Sequence, residues 1–167
     1  MEYLHSKKVA HRDFKSLNVL MSVMRNDQPI AKITDFGISK DSSAGNTLAN
    51  TQTLSGGPIG TPAWSAPEVI KQSGPVDPYA ADVWSFGIVV WEVATRKLPW
   101  DGCSLMMTMN EVGNLNRTPT MPDDAPEEMA SLFKSCCVKE PADRMTFKQI
   151  AEKLHGAMGE VADAGLA

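Results

Sequence analysis

The spacing of hydrophobic and polar residues changes along the chain, and each change marks an element. Residues 1–8 read as the close of a helix already under way, with Leu4 apolar and Ser6-Lys7-Lys8 ending it. Two short apolar runs, Val19-Leu20-Met21 and Ile30-Ala31-Lys32-Ile33, flank the turn-rich Arg25-Asn26-Asp27-Gln28-Pro29, which predicts a β-hairpin within 18–34. From 38 to 62, Ser, Thr, Asn and Gly dominate without a period, the pattern of a functional or partly disordered loop.

Helical spacing then takes over. A short helix is expected over 66–72, with Pro67 tolerated in its first turn. Over 80–97, Val83, Trp84, Phe86, Ile88, Val89, Val90, Trp91 and Val93 cover nearly the whole circumference, so this helix must be buried on most sides and form the central beam. A Met-rich helix follows over 105–112. Asp124-Ala125-Pro126-Glu127-Glu128 predicts the next one, capped by Asp124 and running to about Val138. Thr146 is the expected cap of the last, with Phe147, Ile150, Ala151 and Leu154 on one face. Residues 156–167, rich in Gly and Ala, read as a frayed end. The expected class is mainly α with a small β-hairpin element.

Composition narrows the function classes without choosing one. A length of 167 residues with 43% hydrophobic and 22% charged positions suits one soluble globular unit. Sixteen basic against 20 acidic residues, a net charge of -4, give no pull toward nucleic acid or an anionic membrane. Phe86 to Val93 is the longest strongly apolar run, far short of a membrane span and interrupted by Glu92. Cys103, Cys136 and Cys137 have no metal-ligand spacing; they read as reduced thiols, the adjacent pair facing different ways, in a cytoplasmic setting. The Asn116-Arg117-Thr118 sequon, followed by Pro119, reads as a chance match.

Chemistry concentrates in His11-Arg12-Asp13-Phe14-Lys15-Ser16-Leu17-Asn18. Within six residues this segment holds a carboxylate, an ammonium and a carboxamide, on a loop entering a strand. Asp13 can take a proton from a hydroxyl, Lys15 can hold a phosphate, and Asn18 can ligate a hard cation through its carbonyl oxygen. Asp35, in Asp35-Phe36-Gly37, follows the second hairpin strand. A hairpin folds its ends together, so Asn18 and Asp35 can face one cation. Two oxygen ligands completed by phosphates suit Mg²⁺.

These motifs, followed by Ala66-Pro67-Glu68, resemble in order the catalytic loop, the metal-binding motif and the third signature of protein kinases. Asp82-Val83-Trp84-Ser85-Phe86-Gly87 is similar to the opening of that family's buried central helix. The resemblance implies a protein-kinase-like fold, C-terminal lobe only, over residues 1–158, with 159–167 a frayed tail. It implies ATP and Mg²⁺ as cofactors and a protein Ser/Thr hydroxyl as substrate. Asp13 would be the base, Lys15 would neutralise the transferred phosphoryl group, Asn18 and Asp35 would hold Mg²⁺, and Leu20 would lie under the adenine ring. Arg12 would pair with a phosphorylated residue of the loop before Glu68, within Thr51, Thr53 and Ser55. His11 would pack the loop, Asp82 would hydrogen-bond its backbone, and Glu68 would pair with Arg144.

Lys15 and the segment Gly60-Thr61-Pro62-Ala63-Trp64 resemble Ser/Thr kinases, in which the threonine touches the base and the lysine. Within that group the chain is similar to the tyrosine-kinase-like branch, which includes mixed-lineage and Raf-like enzymes. Ser65 and Met145 depart from residues common in the family at those positions. Only ten residues precede His11, leaving no room for the Gly-rich phosphate loop, strand lysine and helix glutamate of the family. Residues 1–167 are therefore expected to be inactive alone, exposing apolar surface near Leu4, Val9 and Leu20 toward the missing lobe or a partner. The alternative is a catalytically inert lobe acting as a binding module.

Overall fold

The structure, a computed structural model, describes residues 1–23, 29–35, 40–41 and 61–164, by backbone alone for 40–41 and 157–164. Helix α1 (Glu2–Ser6) leads into strand β1 (Val9–Ala10). A 3-10 turn, Ser16–Asn18, delivers the chain into β2 (Val19–Val23), which pairs antiparallel with β3 (Pro29–Ile33). The predicted hairpin is present, with Val19 opposite Ile33 and Val23 opposite Pro29. A second ladder was not foreseen: β1 pairs with β4 (Lys40–Asp41), in a stretch read as loop. A two-residue strand has too few positions to show an alternating pattern, and its partner lies far upstream.

Helix α2 (Pro67–Lys71) matches its prediction. The central helix, α3 (Pro78–Thr95), starts earlier than its apolar pattern suggested. Asp77 caps it, accepting from the Tyr79 and Ala80 amides at 2.9 and 3.3 Å, and Pro78 occupies the first turn, where a missing N–H costs nothing. Its burial is as expected up to Glu92, with Val83, Trp84 and Ile88 almost wholly enclosed. Val93 lies outside the core at 59% exposure.

Helix α4 (Leu105–Met109) is capped by Ser104 and continues as a wider π turn, Asn110–Asn114. Helix α5 (Glu127–Cys136) is shorter at both ends than expected, and Asp124 does not cap it. Pro126, in extended conformation, takes the cap position without a side-chain bond. The helix stops where the Val138 and Lys139 carbonyls turn to accept from Arg144, at 2.8 and 3.2 Å. Cys136 and Cys137 do not face apart: a Cβ on Gly87 of α3 would meet both, at 2.8 Å from Cys136 Cβ and 2.6 Å from Cys137 Sγ. All three cysteines are free thiols.

Helix α6 (Phe147–Ala164) opens with a reciprocal cap: the Gln149 amide donates to Thr146 Oγ1 at 3.3 Å, and Gln149 Oε1 accepts from the Thr146 amide at 2.7 Å. Its backbone is helical past 156, where fraying was expected: Ala and Met there are good helix formers, and Gly156 and Gly159 cost only about 1 kcal/mol each. The core lies between α3, α5 and the start of α6, where Trp84, Ile88, Leu132, Phe133, Phe147 and Ile150 enclose one another. Loop 11–18 runs along α3, from Asp82 near its start to Glu92 near its end. Among the described residues no helix is long and apolar enough to cross a membrane.

Candidate functional site

Helix α3 fixes the position of the His11–Asn18 loop. Asp82, 1% exposed, accepts the His11 amide through Oδ2 and the Arg12 amide through Oδ1, both at 2.7 Å. This holds Arg12 at φ 70°, a left-handed conformation that L side chains resist. Asp82 thus hydrogen-bonds the backbone of the loop at two successive amides. His5, absent from the sequence reading, donates from Nε2 to Asp82 Oδ2 at 3.0 Å and packs edge-on to Tyr79 and Phe147.

His11 is fully buried. Its Nδ1 accepts from the Asp13 amide at 3.4 Å, which leaves Nε2 to donate to the Thr34 carbonyl at 3.0 Å. The ring also packs edge-on to Phe14 at 5.7 Å between centroids. The imidazole therefore ties the loop to the end of β3.

Asp13, Lys15 and Thr61 form one cluster. Lys15 Nζ donates to Asp13 Oδ2 at 2.7 Å and to Thr61 Oγ1 at 2.8 Å. Asp13 Oδ1 faces the Thr61 amide and hydroxyl at 3.2 and 3.3 Å. Both charged groups remain partly accessible, with side chains 11% and 16% exposed, so a substrate can reach them. The threonine touches both the carboxylate and the ammonium, as the resemblance implied.

Asn18 is buried, and its Nδ2 donates to the Asp13 carbonyl at 2.8 Å. That bond commits the amide nitrogen and leaves Oδ1 as the atom able to meet a cation. The Thr34 amide donates to the Asn18 carbonyl at 2.9 Å, continuing the hairpin register and bringing the next residue, Asp35, to the same end. Asp35 is exposed and has φ 61°. Among the described residues no group of three or more His, Cys, Asp or Glu side chains is placed to hold a metal. Asn18 and Asp35 fit a cation that takes a few protein oxygens and completes its shell from phosphates.

Leu20 is 54% exposed, with Met21 at 68% and Val23 at 67% beyond it. Leu4 and Val9, expected to be bare, are half-buried, because α1 packs on α6 and β1 pairs with β4. Thr51, Thr53 and Ser55 lie outside the described residues. Arg12 Nε is buried without a hydrogen-bond partner among the described residues. Glu68 and Arg144 meet as expected. Glu92, read only as a break in an apolar run, proves to be a buried carboxylate beside this loop. Its signal in the sequence was a charge in the middle of the chain's most apolar helix.

A sequence model described as protein tyrosine and serine/threonine kinase matches residues 1–154. The chain is 38% identical over 156 residues, 92% of its length, to the serine/threonine/tyrosine-protein kinase HT1 of Arabidopsis thaliana, and spans 36% of that protein. It is 35% identical over 155 residues, 91% of its length, to mitogen-activated protein kinase kinase kinase YODA of the same plant. It is also 35% identical over 161 residues, 96% of its length, to mitogen-activated protein kinase kinase kinase 12 of Rattus norvegicus. The chain spans only 16% and 17% of these two. Such relatives agree with the tyrosine-kinase-like branch that the motifs resembled. Together with a match that runs from the first helix into the last, they make this chain a member of the protein kinase family.

Proposed function

We propose that the chain supplies the catalytic loop and the cation-binding end of a Ser/Thr protein kinase, which moves the γ-phosphate of MgATP to a protein hydroxyl. The observation that carries this reading is the Asp13–Lys15–Thr61 cluster, in which a partly accessible carboxylate and ammonium are held 2.7 Å apart beside Asn18. Asp13 orients the substrate hydroxyl and accepts its proton at a carboxylate oxygen. Lys15, already directed between Asp13 and Thr61, swings its ammonium toward the transferred phosphoryl group and offsets its charge. Asn18 Oδ1 and the Asp35 carboxylate would hold Mg²⁺, which supplies charge neutralisation at the phosphates. Leu20, exposed on β2, offers an apolar floor for the adenine. Lys15 and Thr61 favour a Ser/Thr hydroxyl over tyrosine.

Arg12 is the residue that would meet a phosphate on Thr51, Thr53 or Ser55, and its buried Nε, without a hydrogen-bond partner among the described residues, supports this. The Gly-rich loop and strand lysine that grip ATP in the family have no counterpart within residues 1–167. The grip would come from a further segment seated over the hairpin, where Leu20, Met21 and Val23 are open. Residues 1–167 alone are then inert and can only bind. That second reading, a binding module, is favoured by the same exposed hairpin.

Titration of residues 1–167 with MgATP should show no micromolar binding, and micromolar affinity would overturn the claim of incompleteness. A longer form that includes a phosphate-gripping segment should phosphorylate protein Ser or Thr and lose this with Asp13→Asn. Phosphotyrosine as the sole product would sink the Ser/Thr assignment. An unmodified 51–55 segment in active protein would sink the role given to Arg12.

A further inference from the structure

Helix α3 is apolar almost all round, yet three of its buried positions are polar: Asp82, Ser85 and Glu92. At 100° per residue these fall within an arc of about 80°, a polar stripe on one face of a buried beam. Each has a partner in a loop of the candidate site. Asp82 holds the backbone at His11 and Arg12. Ser85 donates to the Trp64 carbonyl at 2.8 Å. Glu92 reaches both loops at once: Oε1 accepts from Ser16 Oγ at 2.8 Å, and Oε2 accepts from Trp64 Nε1 at 2.7 Å.

A carboxylate 9% exposed on such a helix is unfavourable unless its oxygens are met, and here one donor stands at each. Trp can only donate through its indole nitrogen, so the Glu92–Trp64 bond has one possible direction. Packing alone would be served as well by an apolar side chain of similar volume. What the carboxylate adds is a link between two segments far apart in sequence.

Those segments are the two halves of the Asp13–Lys15–Thr61 cluster. Ser16 follows Lys15 directly and opens the 3-10 turn that ends at Asn18, whose amide donates to the Lys15 carbonyl at 3.0 Å. Trp64 closes a tight turn on Thr61, its amide donating to the Thr61 carbonyl at 2.9 Å, with Ser65 Oγ on the same oxygen at 3.2 Å. The loops thus meet at a near point, where Thr61 touches Asp13 and Lys15, and at a far point on Glu92. Two points fix a relative orientation that one leaves free.

We infer that Glu92 is a positioning residue: its carboxylate clamps Ser16 to Trp64 and so sets Thr61 against Asp13 and Lys15. Its consequence for phosphoryl transfer rests on the function proposed above, whereas the clamp itself can be read without any activity. In residues 1–167, Ser16→Ala should speed hydrogen exchange at the Trp64 indole N–H and at the Thr61, Ala63, Trp64 and Ser65 amides by about tenfold, across the loop boundary. Trp64→Phe should do the same at the Asn18 amide, and Glu92→Gln at both. Ile88 and Leu132 amides in the core should keep their rates. Changes confined to the substituted loop, or equal acceleration at Ile88 and Leu132, would overturn the clamp.

In a longer form that transfers phosphate, Ser16→Ala and Trp64→Phe should lower kcat by about tenfold while leaving the KM for MgATP unchanged. Coupling lost with kcat intact would overturn the positioning role. Absence of transfer in the unsubstituted protein would overturn the proposed function and leave the clamp to the exchange result. If Glu92→Gln fails to fold, the two loop substitutions decide the question by themselves.

Discussion

Arg144 meets Glu68 fork to fork, Nη1 donating to Oε1 at 2.6 Å and Nη2 to Oε2 at 2.9 Å. The guanidinium also donates to the carbonyls of Ala80, Val138 and Lys139 and lies 5.0 Å from the centre of the Trp84 ring. One side chain therefore joins α2, α3 and the segment after α5. Its side chain is 0% exposed, so removing the carboxylate strands a buried charge. Glu68→Ala should destabilise the chain by about 3–5 kcal/mol. Arg144→Lys should also be costly, since an ammonium cannot reproduce the planar fork. Urea unfolding midpoints at unchanged slope would measure both.

Asp82 should show the opposite balance, with a local effect exceeding the global one. Asn at 82 keeps the shape but has a single acceptor oxygen, while three donors converge from His5, His11 and Arg12. A backbone N–H would face an amide NH2. Asp82→Asn should cost about 2–3 kcal/mol. Hydrogen exchange at the His11 and Arg12 amides should quicken well before the core amides, because Arg12 at φ 70° relaxes once released.

Gly87 is a point of close approach between α3 and the end of α5. A Cβ there would lie 2.6 Å from Cys137 Sγ and 2.8 Å from Cys136 Cβ. The sulfur can rotate away, but the Cβ of a helical residue moves only with its backbone. Gly87→Ala should destabilise by about 1–3 kcal/mol despite its better helix propensity, and Gly87→Ala with Cys137→Ala should recover part of this. Thermal melting of the three proteins would read the difference.

The cysteines predict a pH dependence. Burial pushes the Cys136 thiol up to about 12, against a smaller opposing pull from Lys153. Burial also raises the Cys137 thiol, with Cys136 adding to the effect and Arg144 opposing it. A thiol that holds its proton more tightly when folded stabilises the fold at low pH. This contribution is complete below the unfolded thiol value near about 8.5 and is lost as pH rises through about 12. Stability should therefore fall between pH 9 and 11, roughly, with a shallower slope in Cys136→Ala. At neutral pH, half-buried Cys103 should be alkylated before Cys136, which is buried and should react only on unfolding.

The sequence by itself determined the elements whose signals are local and the residues whose chemistry is bound to a motif. The hairpin, α2 and the cap of α6 follow from turn residues, an N-terminal proline and Thr146 ahead of a helically spaced apolar face, each readable within a few positions. Asp13, Lys15 and Asn18 stood out because a carboxylate, an ammonium and a carboxamide fall within six residues, and the structure brings them together. What only the tertiary structure decided lies at long range. His5 and Asp82 are separated by 77 positions and Ser16 and Glu92 by 76, so no local pattern records either pair. The limits of α3 and α5 shifted for related reasons: Asp77 capped a helix whose apolar face begins later, and Arg144 drew the carbonyls after α5 out of the helix. A buried polar group must find its partners wherever the chain brings them. The sequence shows that Glu92 must be satisfied, and only the packing of two loops against α3 shows by what.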